Sequence, residues 1–266
     1  MLNGALYKRE MKNSFKILAV FAVILSMYIS IIISMFDPQM MEMMDGFYRI
    51  MPEVMEAVGM TPGETSLIGF MISYLYGFIL LIFPMLFCIL RGNGLIAKYT
   101  DQGSMVSLLA APTKRSTVAL TQVLVLLTGI FLLIVYTTVV EVAVVYILFP
   151  GEMLTTDLVK INASLFCLHT LIGGICFLFS CIFSDTKRSI AFGAGIPALM
   201  YILQMLANVG DRVEWLRYAT VFTLFDATAM ITGDGGGLIK TVILLFGAIC
   251  LYAAGVLVFC RKDLHI

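Results

Sequence analysis

The sequence predicts an all-α integral membrane protein with six transmembrane helices. Composition and one pattern carry that prediction. Of the 266 residues, 61% are hydrophobic and 13% charged, and mean hydropathy is +1.00; soluble domains typically run about 45–50% apolar and about 25% charged. A water-facing fold cannot hide that much apolar surface. The pattern is six apolar runs, roughly 15–36, 66–90, 117–146, 161–183, 189–207 and 239–260, most of them near or above the ~20 residues a helix needs to cross a bilayer core. Helices follow because hydrocarbon offers no partner for open backbone groups. Residues 1–266 read as one transmembrane domain.

In chain order, residues 1–14 place Leu2, Ala5 and Leu6 on one side and Lys8, Arg9 and Lys12 elsewhere. That is the pattern of a basic amphipathic helix on a membrane surface, with a frayed terminus as the alternative. The first run exceeds the ~7–15 apolar residues of a signal-peptide core and reads as a retained span. The loop 37–65 is acidic, with Asp37, Glu42, Asp45, Glu53, Glu56 and Glu64 against Arg49. It also carries Met40, Met41, Met43, Met44, Met51, Met55 and Met60. Methionine suits adaptable apolar contacts, so this loop either binds an outside partner or packs on the bundle.

The third run is long. A helix over 116–149 rises about 50 Å, so it tilts, protrudes or bends. Glu141 lies roughly 37 Å along it, near the outer interface, where a solvated or snorkelling carboxylate is expected. An acid inside the membrane would instead be functional by default. Residues 208–238 contain two short amphipathic pieces, 213–218 and 221–226, and the single tryptophan, Trp215. Trp215 fits an interface anchor, and the pieces read as short or re-entrant helices at the outer leaflet. Glu141, Phe222 and Phe225 are the candidate pathway or outer-gate residues.

Basic residues set the orientation. Twelve (Lys8, Arg9, Lys12, Lys16, Arg91, Lys98, Lys114, Arg115, Lys187, Arg188, Arg261 and Lys262) fall at the termini and in the second and fourth connections. The other side has five: Arg49, Lys160, Arg212, Arg217 and Lys240. Both termini are therefore expected in the cytoplasm.

Chemistry is scarce. Formal net charge is zero, which gives no footprint for nucleic acid. Cys88, Cys167, Cys176, Cys181, Cys250 and Cys260 lie in or at the ends of apolar runs, so small buried hydrophobes are expected and no disulfide framework. The histidines are His169 and His265, and neither belongs to a metal-binding pattern. The glycine-rich run 233–241 fails as a phosphate loop, because Asp234 and Ile239 stand where glycines are required. No catalytic residue, metal or cofactor is expected in this chain. Small residues Gly129, Gly173, Gly174, Ala191, Gly195 and Ala198 permit close helix approach, either within a bundle or at a dimer seam.

The stretch 100–115 is a polar-capped island between two spans. Asp101 caps or begins a helix, Met105, Val106, Leu108 and Leu109 form an apolar side, and Pro112 stops it. Lys114 and Arg115 anchor the next span at the inner interface. The series Asp101, Gly103, Ser104, Leu108, Leu109, Ala111, Pro112, Lys114, Arg115 resembles the coupling segment of type-two ABC exporter permeases, with Asp101 where Glu is usual. The basic N-terminal segment is similar to that family's elbow helix, connection 183–188 to its fourth-to-fifth loop, and segment 208–238 to its outer re-entrant helices.

The resemblance implies a non-catalytic subunit in the plasma (inner) membrane of a bacterium. Two permease subunits, identical or homologous, would form the pathway in the lipid bilayer. Each would dock a separate ABC ATP-binding subunit, two copies per complex, through segment 91–116. ATP and Mg would belong to that partner, and the 101–110 helix would sit in its groove. An uncharged pathway suits an amphipathic or antimicrobial peptide, a lipid or a hydrophobic drug. The alternatives are a membrane enzyme using Glu141 or His169, or a ligand-sensing resistance scaffold without transport.

Overall fold

The computed structural model describes residues 2–37, 50–51, 66–105, 108, 113–152, 154–209, 211–233 and 235–262. These are helical, with no strand among the described residues. Six stretches are long and apolar enough to cross a membrane: Gly4–Ser34, Leu67–Asp101, Arg115–Leu148, Thr155–Ile182, Thr186–Asn208 and Gly236–Arg261. They coincide with the six apolar runs. Most of the acidic, methionine-rich loop lies outside the described residues.

Helix α1 (Gly4–Ser34) starts at Asn3, whose side-chain oxygen accepts the Leu6 amide. It then runs unbroken. A separate surface helix over 1–14 is therefore corrected: residues 4–14 are the first turns of α1, because nothing between Ala5 and Phe15 breaks a helix. Leu6, Glu10, Ser14 and Leu18 are buried at four-residue spacing along it, so this face packs instead of lying on a surface.

The second span is composite. It comprises α2 (Leu67–Met71), a π-helical stretch Ile72–Ile79, α3 (Leu80–Gly92) and, after a turn, α4 (Ala97–Asp101). Pro84 sits inside α3, where its missing amide and its ring loosen the preceding turn. The π-helical stretch ends at Ile79, immediately before that turn.

Helix α5 (Arg115–Leu148) is followed by α6 (Thr155–Ile182), the bundle's centre: 72% of its most apolar window is buried, against 22% for α7 (Thr186–Asn208). Short 3-10 stretches Asp211–Ala219 and Phe222–Leu224 and helix α8 (Ala227–Thr232) precede α9 (Gly236–Arg261). The glycines sort themselves. A Cβ on Gly173 would lie 2.8 Å from the Tyr252 hydroxyl, one on Gly174 3.1 Å from Leu251 Cβ, and one on Gly129 2.8 Å from Phe87. These three serve close packing within this chain. Gly195 has open space around it. All six cysteines are free, and Cys88, Cys167, Cys176 and Cys181 are buried.

Hydrogen bonds show that the beginnings and ends alternate as six spans require. The Asn3 amide donates to Thr121 Oγ1 (3.0 Å), Arg115 Nη1 to the Lys262 carbonyl (2.7 Å), and Lys262 Nζ to the Ile182 carbonyl (2.9 Å). Both chain ends and the second and fourth connections thus gather at one end of the bundle, the termini end. Segment Asp211–Thr232 belongs to the far end.

Candidate functional site

At the termini end the second connection begins folded into the bundle. Glu10 of α1 is 4% exposed. Arg91 Nη2 donates to its Oε2 at 3.0 Å, and the Tyr99 hydroxyl donates to its Oε1. The turn between α3 and α4 is held by Ser180 of α6. Its hydroxyl donates to the Asn93 carbonyl (3.1 Å) and accepts the amides of Ile96 (3.2 Å) and Ala97 (2.9 Å). Asn93 Oδ1 accepts from Ser189 of α7 at 3.2 Å. A Cβ on Gly193 would come 2.1 Å from that same oxygen, so α7 can approach only because it carries glycine there. Sequence reading treated Arg91 as an orientation charge and missed Glu10 as its partner.

Asp101 does not begin a helix; it ends α4. This is a correction with a clear cause. The chain leaves α4 through Gln102 and Gly103, and Gly103 has φ +67, a backbone position that glycine takes without a Cβ penalty. The Gly103 amide donates to the Thr100 carbonyl at 3.1 Å. Ser104 Oγ donates back to the Tyr99 carbonyl (3.3 Å), and the Leu108 amide donates to the Ser104 carbonyl (3.3 Å), starting a new helical turn. Met105 is 2% exposed and belongs to the core. It anchors the segment to its own bundle and offers no free contact. Leu108 is half-buried against the same core. Leu109 and Pro112 lie outside the described residues. Lys8, Arg9 and Lys114 are exposed, whereas Arg115 is half-buried and bonds the Lys262 carbonyl. Burial lowers the Lys262 ammonium below its ordinary pKa.

At the far end three spans converge on Glu141, which is 0% exposed. Tyr76 of the π-helical stretch donates its hydroxyl to Glu141 Oε2 at 2.8 Å. Asn162 Nδ2 of α6 donates to the same oxygen at 2.6 Å and to Tyr76 Oη at 2.7 Å. The expectation of a solvated Glu141 is overturned. Its depth along α5 was read correctly, about two turns before the helix ends at Leu148, but Tyr76 and Asn162 close over it there. Glu141 Oε1 and Asn162 Oδ1 are buried with no partner among the described residues.

Beside this cluster lies a cleft of about 180 Å³ lined by Tyr76, Tyr201, Gln204, Phe222, Phe225 and Asp226, among others. Phe222 is buried with its ring edge against Tyr201, and the Phe225 ring stands 6.4 Å from that of Tyr76. The structure thus brings Glu141, Phe222 and Phe225 into one neighbourhood. Asp226 caps α8 through the Ala229 amide (2.9 Å) and pairs with Lys240 of α9 (2.7 Å). Burial raises its pKa, but those hydrogen bonds hold the carboxyl below its ordinary value. Trp215 is exposed at this end.

His169 and Glu141 are not brought together as a reactive pair. The His169 ring nitrogens lie 2.9 Å from the Leu165 carbonyl and 3.2 Å from that of Leu81, so the ring ties α6 to α3. Among the described residues, no group of three or more His, Cys, Asp or Glu is arranged to hold a metal. No protein-family model, curated protein or solved structure matches this chain.

Proposed function

We propose that this chain is the transmembrane subunit of an ATP-driven exporter of the type-two ABC class, working as a dimer and docking separate ATP-binding subunits at its termini end. The observation that carries the reading is the end of the second span together with the connection after it. It is a short helix, a glycine reversal at Gly103 and a restarted helical turn, braced to α1 and α6 through Glu10 and Ser180. A motion imposed on such a segment would pass into three spans, because its tether points sit on rigid helices. A freely hinged loop would absorb it. The basic balance of this end supports a cytoplasmic location under the positive-inside rule. In this reading ATP and Mg bind the partner, and the cargo is an amphipathic or antimicrobial peptide, a lipid or a hydrophobic drug.

The test is isolation of the tagged full chain from native membranes, with measurement of vanadate-sensitive ATP hydrolysis. A stoichiometric ATP-binding subunit and ATPase activity, both lost in Leu108→Asp while the chain remains folded, support the reading. A chain that isolates without any nucleotide-binding partner and still binds its ligand in vesicles would replace it with the sensing-scaffold alternative.

A further inference from the structure

We propose that the Glu141–Tyr76–Asn162 cluster is a binding site for one exchangeable proton, carried on the Glu141 carboxyl behind Tyr76, which lines the far-end cleft. The inference does not rest on an ATP-binding partner.

Three observations carry it. Glu141 is fully buried, and no basic side chain contacts it among the described residues. A buried unpaired carboxylate is strongly disfavoured, and such groups neutralise instead. Next, the cluster is short of donors. Tyr76 and Asn162 serve only Oε2, leaving Glu141 Oε1 and Asn162 Oδ1 as two buried acceptors with no donor among the described residues. A proton on the carboxyl supplies the missing donor. Asn162 can answer either state, since an amide presents Nδ2 to a carboxylate or, turned over, Oδ1 to a carboxylic acid. Last, Tyr76 belongs to both the cluster and the cleft, which gives the proton a route to water. The number of oxygens argues against a metal cation: Glu141, Asn162 and Tyr76 supply fewer ligands than the six or more typical of a hard cation.

The surrounding charges do not compete for this role. α6 also carries Cys167, a buried free thiol, and His169, engaged with backbone carbonyls. Asp157 and Lys160, at the start of α6, pair with each other. From the far-end segment Asp226 is paired with Lys240 of α9. α1 brings Tyr28, packed on Phe83, and α7 brings Tyr201, packed on Phe222. Ionising Glu141 inside the closed bundle is therefore unfavourable unless water enters through the cleft, so proton release and cleft opening are linked.

Infrared difference spectroscopy on the full chain in lipid nanodiscs tests this. A carboxylic C=O band should appear at neutral pH and shift in D2O. It should move on ¹³C-glutamate labelling, disappear reversibly at alkaline pH and be absent in Glu141→Gln. Tyr76→Phe, which removes a donor to the carboxylate, should move the midpoint to higher pH. If Glu141→Gln does not fold, Glu141→Asp should shift the band and make the assignment. An ionised Glu141 at neutral pH overturns the proposal. So does a band that responds to sodium in place of choline at constant pH, which would make the site a metal-cation site.

Discussion

The two ends of the bundle use buried polar groups in opposite ways. At the termini end the buried groups of the connection are tied across spans, Glu10 with Arg91 and Tyr99, and Ser180 with Asn93, Ile96 and Ala97, and the Glu10 carboxylate has a cationic partner even though Arg91 Nε and the Gln122 amide stay open among the described residues. At the far end the Glu141 cluster has no cationic partner and leaves two buried acceptors open among the described residues, on α5 and α6, while its third member, Tyr76, stands on a locally π-helical span. A charge-paired network bonded across several helices rigidifies, whereas an uncompensated, partly satisfied one is free to rearrange. The contrast assigns stiffness to the end proposed to receive motion and adaptability to the end proposed to open.

Single substitutions at four positions, Arg91, Ser180, Asp226 and Trp215, sharpen or break that contrast. The largest effect is expected from Arg91→Ala, which strands Glu10 as a buried charge. It should cost about 3–5 kcal/mol, read as loss of thermal stability of the purified chain. The double variant Glu10→Gln, Arg91→Met should recover much of it. Ser180→Ala leaves the Ile96 and Ala97 amides and the Asn93 carbonyl without their partner, for about 1–3 kcal/mol. Its signature is faster hydrogen exchange confined to the α3–α4 turn.

At the far end Asp226→Ala removes the α8 cap, for about 0.5–2 kcal/mol. The Lys240 pair adds little, because it is about a third exposed. The sign of its pH dependence follows from its lowered folded pKa. The stabilisation is present above the unfolded carboxylate range and is lost as pH falls through the folded value. An acid titration of stability should therefore flatten in Asp226→Asn. Trp215→Phe, at an exposed side chain, should stay within about 0.5 kcal/mol.

Legibility in the sequence follows the range of the interaction. The six spans were readable because hydropathy over about 20 residues is a local quantity. Gly103 was readable as a motif position, though its function, the left-handed reversal that makes Asp101 an end and not a beginning, was not. The environment of Glu141 was hidden because its partners come from two other spans. Asn162, a polar residue opening an otherwise apolar run, was the available signal. Glu10 was hidden among N-terminal charges, and its pairing with Arg91 needed α1 to be one continuous helix. Met105 looked like an exposed apolar side because periodicity marks an apolar face without saying what covers it.

The contrast between the two ends is tested most directly by hydrogen–deuterium exchange on the full chain, followed from mildly acidic to alkaline pH and corrected for intrinsic rates. The account predicts that protection in Ile72–Ile79 and Phe222–Leu224 falls as Glu141 ionises, while protection in Ala97–Asp101 holds, and that Glu141→Gln abolishes the far-end change. A uniform loss of protection at both ends, or a change confined to the termini end, would contradict it.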